Sequence, residues 1–229
     1  MDRRDFVGRC AAALPWLAGT AAVGGLGETA LAQPPGYVEG QHFLRFTPPL
    51  AVSVPAGKIE VIEFFSYACP HCFAFDPSLE AWAKKQPADV VFHRVPVPFL
   101  INAENFQRAY FALEAVGWTE AAHTRIFKAV HLERKLPNQP DLLADLVAQA
   151  GVDRAKFLAA FTSFGVSAKL AQAKTLTERY KINGVPTLGI NGRFATSPSM
   201  VGQDVLPETE SQSRALALTD QLIAQVRKG

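Results

Sequence analysis

Two cysteines, Cys69 and Cys72, are separated only by Pro70 and His71 in the run FFSYACPHCFAF, and this pair constrains the fold more than any other stretch. The residues before it, KIEVIEFFSY (58–67), carry β-branched and aromatic side chains at both parities, the pattern of a strand covered on both faces. Pro70 suits the first turn of a helix, where its missing N–H leaves nothing unpaired. That helix is expected to reach about residue 86, with Phe73, Leu79 and Trp82 as apolar anchors and a kink at Pro77. DVVFHRVPV (89–97) reads as a second core strand. Strand, helix and strand make a βαβ unit with a right-handed crossover, which places the chain in the α/β class.

A CxxC can hold a metal, staple a loop or exchange disulfides. A structural zinc site needs four ligands, and this motif supplies two. There is no second CxxC, and His42, His71, His93, His123 and His131 form no second cluster along the chain, so neither a metal nor another cofactor is expected. As a staple the pair is poor, because closing so short a loop removes little chain entropy. Between a buried strand and a helix start, the motif reads as a redox pair. Cys69 would face unpaired N–H groups and the positive end of the helix dipole. Both lower a thiol pKa and make the sulfur a better leaving group. Cys72, one turn further on, is expected to be covered and able to attack a mixed disulfide at Cys69. His71 brings a donor and a positive charge beside the thiolate. Glu63 is anomalous, a carboxylate within Val, Ile and Phe, whereas Glu60 is read as solvated. Phe65 and Tyr67 flank the motif and suit apolar docking of an unfolded chain, with core packing as the other reading.

From residue 102 to residue 180 the periodicity is helical. AENFQRAYFALEAVG ends at Gly117, a second helix runs from about Thr119 to about Leu136, and QPDLLADLVAQAG and DRAKFLAAFTSFG are short helical units. AKLAQAKTLTERYKI is longer and stops at Asn183-Gly184. This block reads as a helical insertion in an α/β domain. The sheet pattern resumes with VPTLGIN, the tight-turn signal Asn191-Gly192 and RFAT as a returning strand. A final amphipathic helix carries Leu216, Leu218, Leu222, Ile223 and Val226. HFLRF (42–46) is a short edge strand, set in a Pro-rich lead-in.

The chain begins like an export signal. Arg3, Arg4 and Arg9 precede a weakly apolar stretch, and Ala30-Leu31-Ala32 offers a cleavage site after Ala32. Pro15 and the glycines at 19, 24, 25 and 27 argue against a permanent spanning helix. DRRDFVG resembles a twin-arginine signal, with an ordinary secretory signal as the other reading, and Cys10 would leave with the cleaved segment. An exported dithiol meets oxidants. The formal net charge is +2 with basic residues scattered among acids, so no nucleic-acid partner is expected.

The run EFFSYACPHCFAF resembles the active-site segment of the DsbA family of periplasmic thiol:disulfide oxidoreductases, within the thioredoxin superfamily. The likeness lies in the Pro-His dipeptide, the preceding Glu-Phe-Phe-Ser and the aromatic after Cys72. NGVPTLGINGRF (183–194) is similar to the family's cis-proline loop, and the helical insertion matches too. The resemblance implies a thioredoxin-like fold with a helical domain inserted between the two halves of its core. Residues 33–100 would form the first part, 101–180 the insert and 181–229 the second part. It implies a periplasmic monomer that donates its disulfide to reduced, unfolded exported proteins. It also implies a cis Val185–Pro186 bond opposite the dithiol, with the Val185 backbone free to pair with substrate, and Glu63 beneath the dithiol as proton acceptor or electrostatic tuner. Reoxidation would fall to a quinone-linked membrane oxidase of the DsbB type. Tyr67-Ala68 departs from the bulkier residues common in the family, which implies a shallower groove. The rival readings are an isomerase or reductase using the same dithiol, and a non-catalytic peptide-binding or chaperone module.

Overall fold

Ile59–Phe65 forms strand β2, whose seven residues are all buried. The computed structural model describes residues 36–229 apart from Trp118 and Asp204. The expected export signal, its cleavage after Ala32 and Cys10 lie outside the described residues. β2 has no polar face because it is enclosed on every side. It pairs in parallel with β3 (Val90–Pro96) and antiparallel with β4 (Thr187–Ile190). With β1 (Phe43–Arg45) and β5 (Phe194–Thr196) these make one sheet in the order β1-β5-β4-β2-β3. The βαβ unit is completed by α1 (Pro70–Ala83), which ends three residues short of the expected Gln86 and keeps Pro77 within it.

Two cores cover the sheet. In one, Ile59, Val61, Leu188 and Ile190 meet Phe75, Leu79 and Trp82 of α1 and Leu218, Leu222 and Ile223 of α8 (Glu208–Lys228). In the other, Ile62 and Phe64 meet the helical insert, with Phe106, Tyr110, Phe127 and Phe157 fully or almost fully enclosed. The insert comprises α2 (Ala103–Val116), α3 (Thr119–His131), α4 (Pro140–Ala148), α5 (Arg154–Phe161) and α6 (Phe164–Arg179). The chain is thus a thioredoxin-like mixed sheet with a helical subdomain inserted between β3 and β4. Among the described residues no helix is long and apolar enough to cross a membrane.

Local chemistry explains where the elements differ from expectation. α6 begins at Phe164, earlier than its apolar pattern suggests, because the Ser163 hydroxyl accepts the Val166 N–H and caps the helix. α3 stops at His131, short of the expected Leu136, and Arg134 beyond it takes a positive φ of 54°. A short helix, α7 (Pro198–Gly202), lies where the sequence pattern shows no element, started by Ser197 accepting the Met200 N–H and by Pro198 in the first turn. Glu60 corrects a second expectation, since it is buried and not solvated. Its carboxylate accepts the Ser53 N–H at 3.1 Å and the Ser53 hydroxyl at 2.6 Å, with His93 3.9 Å away. A charged group in a doubly covered strand has to find such partners.

The return strand β4 depends on a close approach. An ideal Cβ at Gly189 would lie 2.6 Å from Tyr180 Cε1. Tyr180 cannot swing aside easily, because its hydroxyl accepts the Gly192 N–H at 3.0 Å and its ring packs on Phe46 and Phe64. Gly189→Ala is therefore expected to destabilise the protein by about 1–3 kcal/mol through overpacking. Equilibrium urea unfolding checks this, and an unchanged midpoint would contradict the tight packing.

Candidate active site

Cys69 occupies the N-cap of α1, with extended backbone angles (φ −90°, ψ 115°). Its sulfur accepts the Cys72 backbone N–H at 3.2 Å. Its thiol donates to the Val185 carbonyl at 3.3 Å, and the Val185–Pro186 bond is cis. Cys69 is 5% exposed and Cys72 is wholly enclosed, and both are unbridged thiols. These unlike surroundings divide the pair. A hydrogen bond from the Cys72 thiol, helped by the Cys72 and His71 N–H groups and the His71 charge, outweighs burial and lowers Cys69 from 9.0 to about 7. Burial, with the Cys69 charge, pushes Cys72 well above its ordinary value. His71 is exposed and bonded to Glu208 at 2.7 Å, which raises its pKa despite some desolvation.

Beneath the dithiol lies a buried charged layer. Glu63 on β2 and Arg94 on β3 are direct partners in the parallel ladder, and Arg94 Nε donates to Glu63 at 2.8 Å. Arg94 Nη2 also donates to Asp76 at 3.1 Å and to Glu80 at 3.0 Å, both on α1. From α3, His123 Nε2 reaches Asp76 at 3.1 Å, and its Nδ1 lies 2.9 Å from the Tyr67 hydroxyl. Burial lowers the His123 pKa, the Arg94 charge adding to it, while Asp76 is held low by His123 and Arg94 against the effect of its own burial. His123 thus bridges the Asp76 carboxylate at Nε2, to which it donates, and the Tyr67 hydroxyl at Nδ1. Burial raises Glu63 from 4.5 to about 7; Arg94 opposes this and Asp76 adds to it.

Phe65 and Tyr67 do not line a docking surface. Both are fully buried, packed on each other and against His123 and Phe127. The helical insert covers the end of β2, so aromatic side chains there belong to the core. The surface beside the dithiol comes from elsewhere. His71, Val185, Pro186, Leu206 and Glu208 are among the residues lining a cleft of about 240 Å³. On the opposite flank His131 stacks on Phe73, with 5.1 Å between centroids, and donates from Nε2 to the Tyr67 carbonyl at 2.9 Å.

Sequence reasoning did not find Arg94, Asp76, His123 as a partner of the acid layer, or Glu208. The signals existed for some. Arg94 is the charged residue in an otherwise largely apolar core strand, as Glu63 is in its neighbour, and Asp76 and Glu80 follow Cys72 at helical spacings of four.

A family model for the DSBA-like thioredoxin domain matches residues 89–212. The thiol:disulfide interchange protein DsbA of Bordetella pertussis is 39% identical over 208 residues, spanning 90% of this chain and 95% of that protein. Its counterpart from Pseudomonas aeruginosa is 37% identical over 196 residues, spanning 86% and 89%. The crystal structure of Pseudomonas aeruginosa DsbA matches with a TM-score of 0.79 at 35% identity, covering 86% of this chain and 98% of its own. The oxidoreductase DsbA from Xylella fastidiosa matches with a TM-score of 0.73 at 33% identity, covering 84% and 99%.

Two pH-dependent outcomes follow. In the reduced protein, the ultraviolet absorbance of the thiolate should titrate with a midpoint of about 7 for one cysteine, and a midpoint at the ordinary value of 9.0 would contradict the N-cap assignment. Glu63 has a folded pKa above its unfolded value, so the stability it contributes is complete below pH 4.5 and is lost as pH rises through about 7. The loss from this group alone is on the order of 3 kcal/mol. In the reduced protein, Glu63→Gln should flatten the fall in urea stability between pH 4.5 and about pH 7, and parallel profiles for the two proteins would contradict it.

Proposed function

The chain belongs to the DsbA family of thiol:disulfide oxidoreductases, and on that premise we propose that it oxidises reduced cysteines of exported proteins with its Cys69–Cys72 disulfide. The observation that carries disulfide exchange at Cys69 is the asymmetry of the pair, Cys69 capping a helix beside the cis-proline loop and Cys72 sealed behind it; the oxidising direction is supported by the family.

A substrate thiolate attacks Cys69 Sγ. The Cys69–Cys72 bond breaks as the substrate–Cys69 bond forms, and Cys72 leaves as a thiolate. That anion is buried, and a proton restores it to a thiol; Glu63, with a pKa of about 7, is suited to deliver it. The extended substrate pairs with the Val185 backbone exposed by the Pro186 turn. A second substrate thiolate then attacks the substrate sulfur of the mixed disulfide, and Cys69 leaves as a thiolate. The substrate has lost two electrons and the enzyme pair has gained them. Cys69 leaves readily because the N-cap stabilises its anion, with Pro70 setting the helix start and His71 adding a positive charge. Lowering its pKa from 9.0 to about 7 is worth on the order of 3 kcal/mol, or about 60 mV for a two-electron couple.

Family membership supports interaction with unfolded substrate proteins and a periplasmic location. It also supports reoxidation by a quinone-linked membrane partner of the DsbB type. The protein would work as a monomer. No observation favours the isomerase, reductase or chaperone readings over the oxidase.

Incubation with a reduced, unstructured two-cysteine peptide tests the proposal. The oxidised wild type should convert the peptide to its disulfide, Cys69→Ala should lose essentially all activity, and Cys72→Ala should accumulate a mixed disulfide with the peptide at Cys69. Undiminished peptide oxidation by Cys69→Ala would overturn it.

A further inference from the structure

His71 is the only ionisable side chain between the two cysteines, and it is fastened from a distant part of the chain. Its Nδ1 lies 2.7 Å from Oε1 of Glu208, the first residue of α8 and 137 positions away. The two side chains meet at the cleft that Val185 and Pro186 also line, and among the described residues every other one lining it is uncharged. Among the described residues, the charged groups facing His71 are Cys69 on its own helix and Glu208 across the cleft. Glu210, the next acid on α8, is engaged by Arg214 at 2.6 Å. Glu208 is itself well placed. It sits in the first turn of α8, where a carboxylate meets the positive end of the helix. The start of α8 is seated on α7 so closely that Gly202 has no room for a side chain against Ser211.

We propose that Glu208 is a positioning residue for the dithiol, clamping the His71 ring at the mouth of the cleft so that its positive charge stays beside Cys69. An unpartnered His71 on an exposed turn would sample several rotamers and would be neutral for much of the time at pH 7. The bond to Glu208 selects one orientation, and it raises the His71 pKa, first through the hydrogen bond and then through its charge. The His71 charge in turn favours the Cys69 thiolate. An ion pair this exposed adds little to folding stability, so its effect lies in the redox equilibrium. Glu208 thereby ties the oxidising strength of the pair to the docking of the C-terminal helix.

The inference rests on the proposed oxidase function and is tested separately from it. Glu208→Gln and Glu208→Asp are made in the wild type and in a His71→Gln background. The readouts are the glutathione equilibrium constant, the Cys69 titration midpoint and the melting temperature. Glu208→Gln should make the pair less oxidising by two- to fivefold in the equilibrium constant, about 10–20 mV, and raise the Cys69 midpoint. Glu208→Asp should recover part of the loss, and in the His71→Gln background Glu208→Gln should change neither redox readout. An equal shift with and without His71 would show Glu208 acting as a helix-end charge and overturn the proposal, as would no shift in either background. A wild-type protein that fails to oxidise dithiols would instead defeat the functional reading itself.

Discussion

The hydrogen bond from the Cys72 N–H to the Cys69 sulfur is the contact on which the rest of the structure turns. A helix start leaves donors without partners, and here a sulfur occupies the place where a capping oxygen usually sits. The bond rewards the thiolate over the disulfide. It requires β2 to end within a few residues of Cys69, Pro70 to hold the first turn, and a neighbouring loop to pack against the sulfur. Val185 and the cis Pro186 supply that loop, and β4 can deliver it because it pairs directly with β2. The antiparallel β2–β4 ladder therefore registers the two halves of the site against each other across the helical insert.

Below the sulfurs, one guanidinium serves three carboxylates. Arg94 bonds to Glu63, Asp76 and Glu80, and His123 adds a further donor. The layer draws on β2, β3, α1 and α3, so it joins the thioredoxin-like core to the insert through polar contacts as well as apolar ones. Burial, with the charge of Asp76 adding to it and Arg94 opposing it, raises the Glu63 pKa to about 7, whereas Asp76 is held below its ordinary value. A carboxyl poised in this range can gain or lose a proton at working pH, which a structural ion pair does not do.

Features set by neighbours along the chain are legible in the amino-acid sequence. The strand leading to Cys69, the helix started by Pro70, the turn at Asn191-Gly192 and the helical block after β3 all rest on local patterns. Glu63 stands out for the same reason, as one wrong residue in a short apolar run. What the sequence hides depends on contacts between distant segments. Glu60 sits in the same strand as Glu63, and only the position of Ser53 shows how it is satisfied. Phe65 and Tyr67 are ambiguous in sequence because a strand covered on both faces lacks the alternation that separates core from surface. His123 invites comparison with metal ligands by residue type alone, but its partners Asp76 and Tyr67 come from α1 and the end of β2. Glu208 meets His71 only because α8 packs back against α1.

The surroundings of Cys69 favour the reduced pair, which makes its disulfide an oxidant. The redox potential of the wild-type protein against glutathione measures this directly. The oxidase reading predicts a potential between about −120 and −180 mV, the range of DsbA itself and protein disulfide isomerase. A potential near about −270 mV, where thioredoxin lies, would mean that the chain works as a reductant and would contradict the oxidase reading.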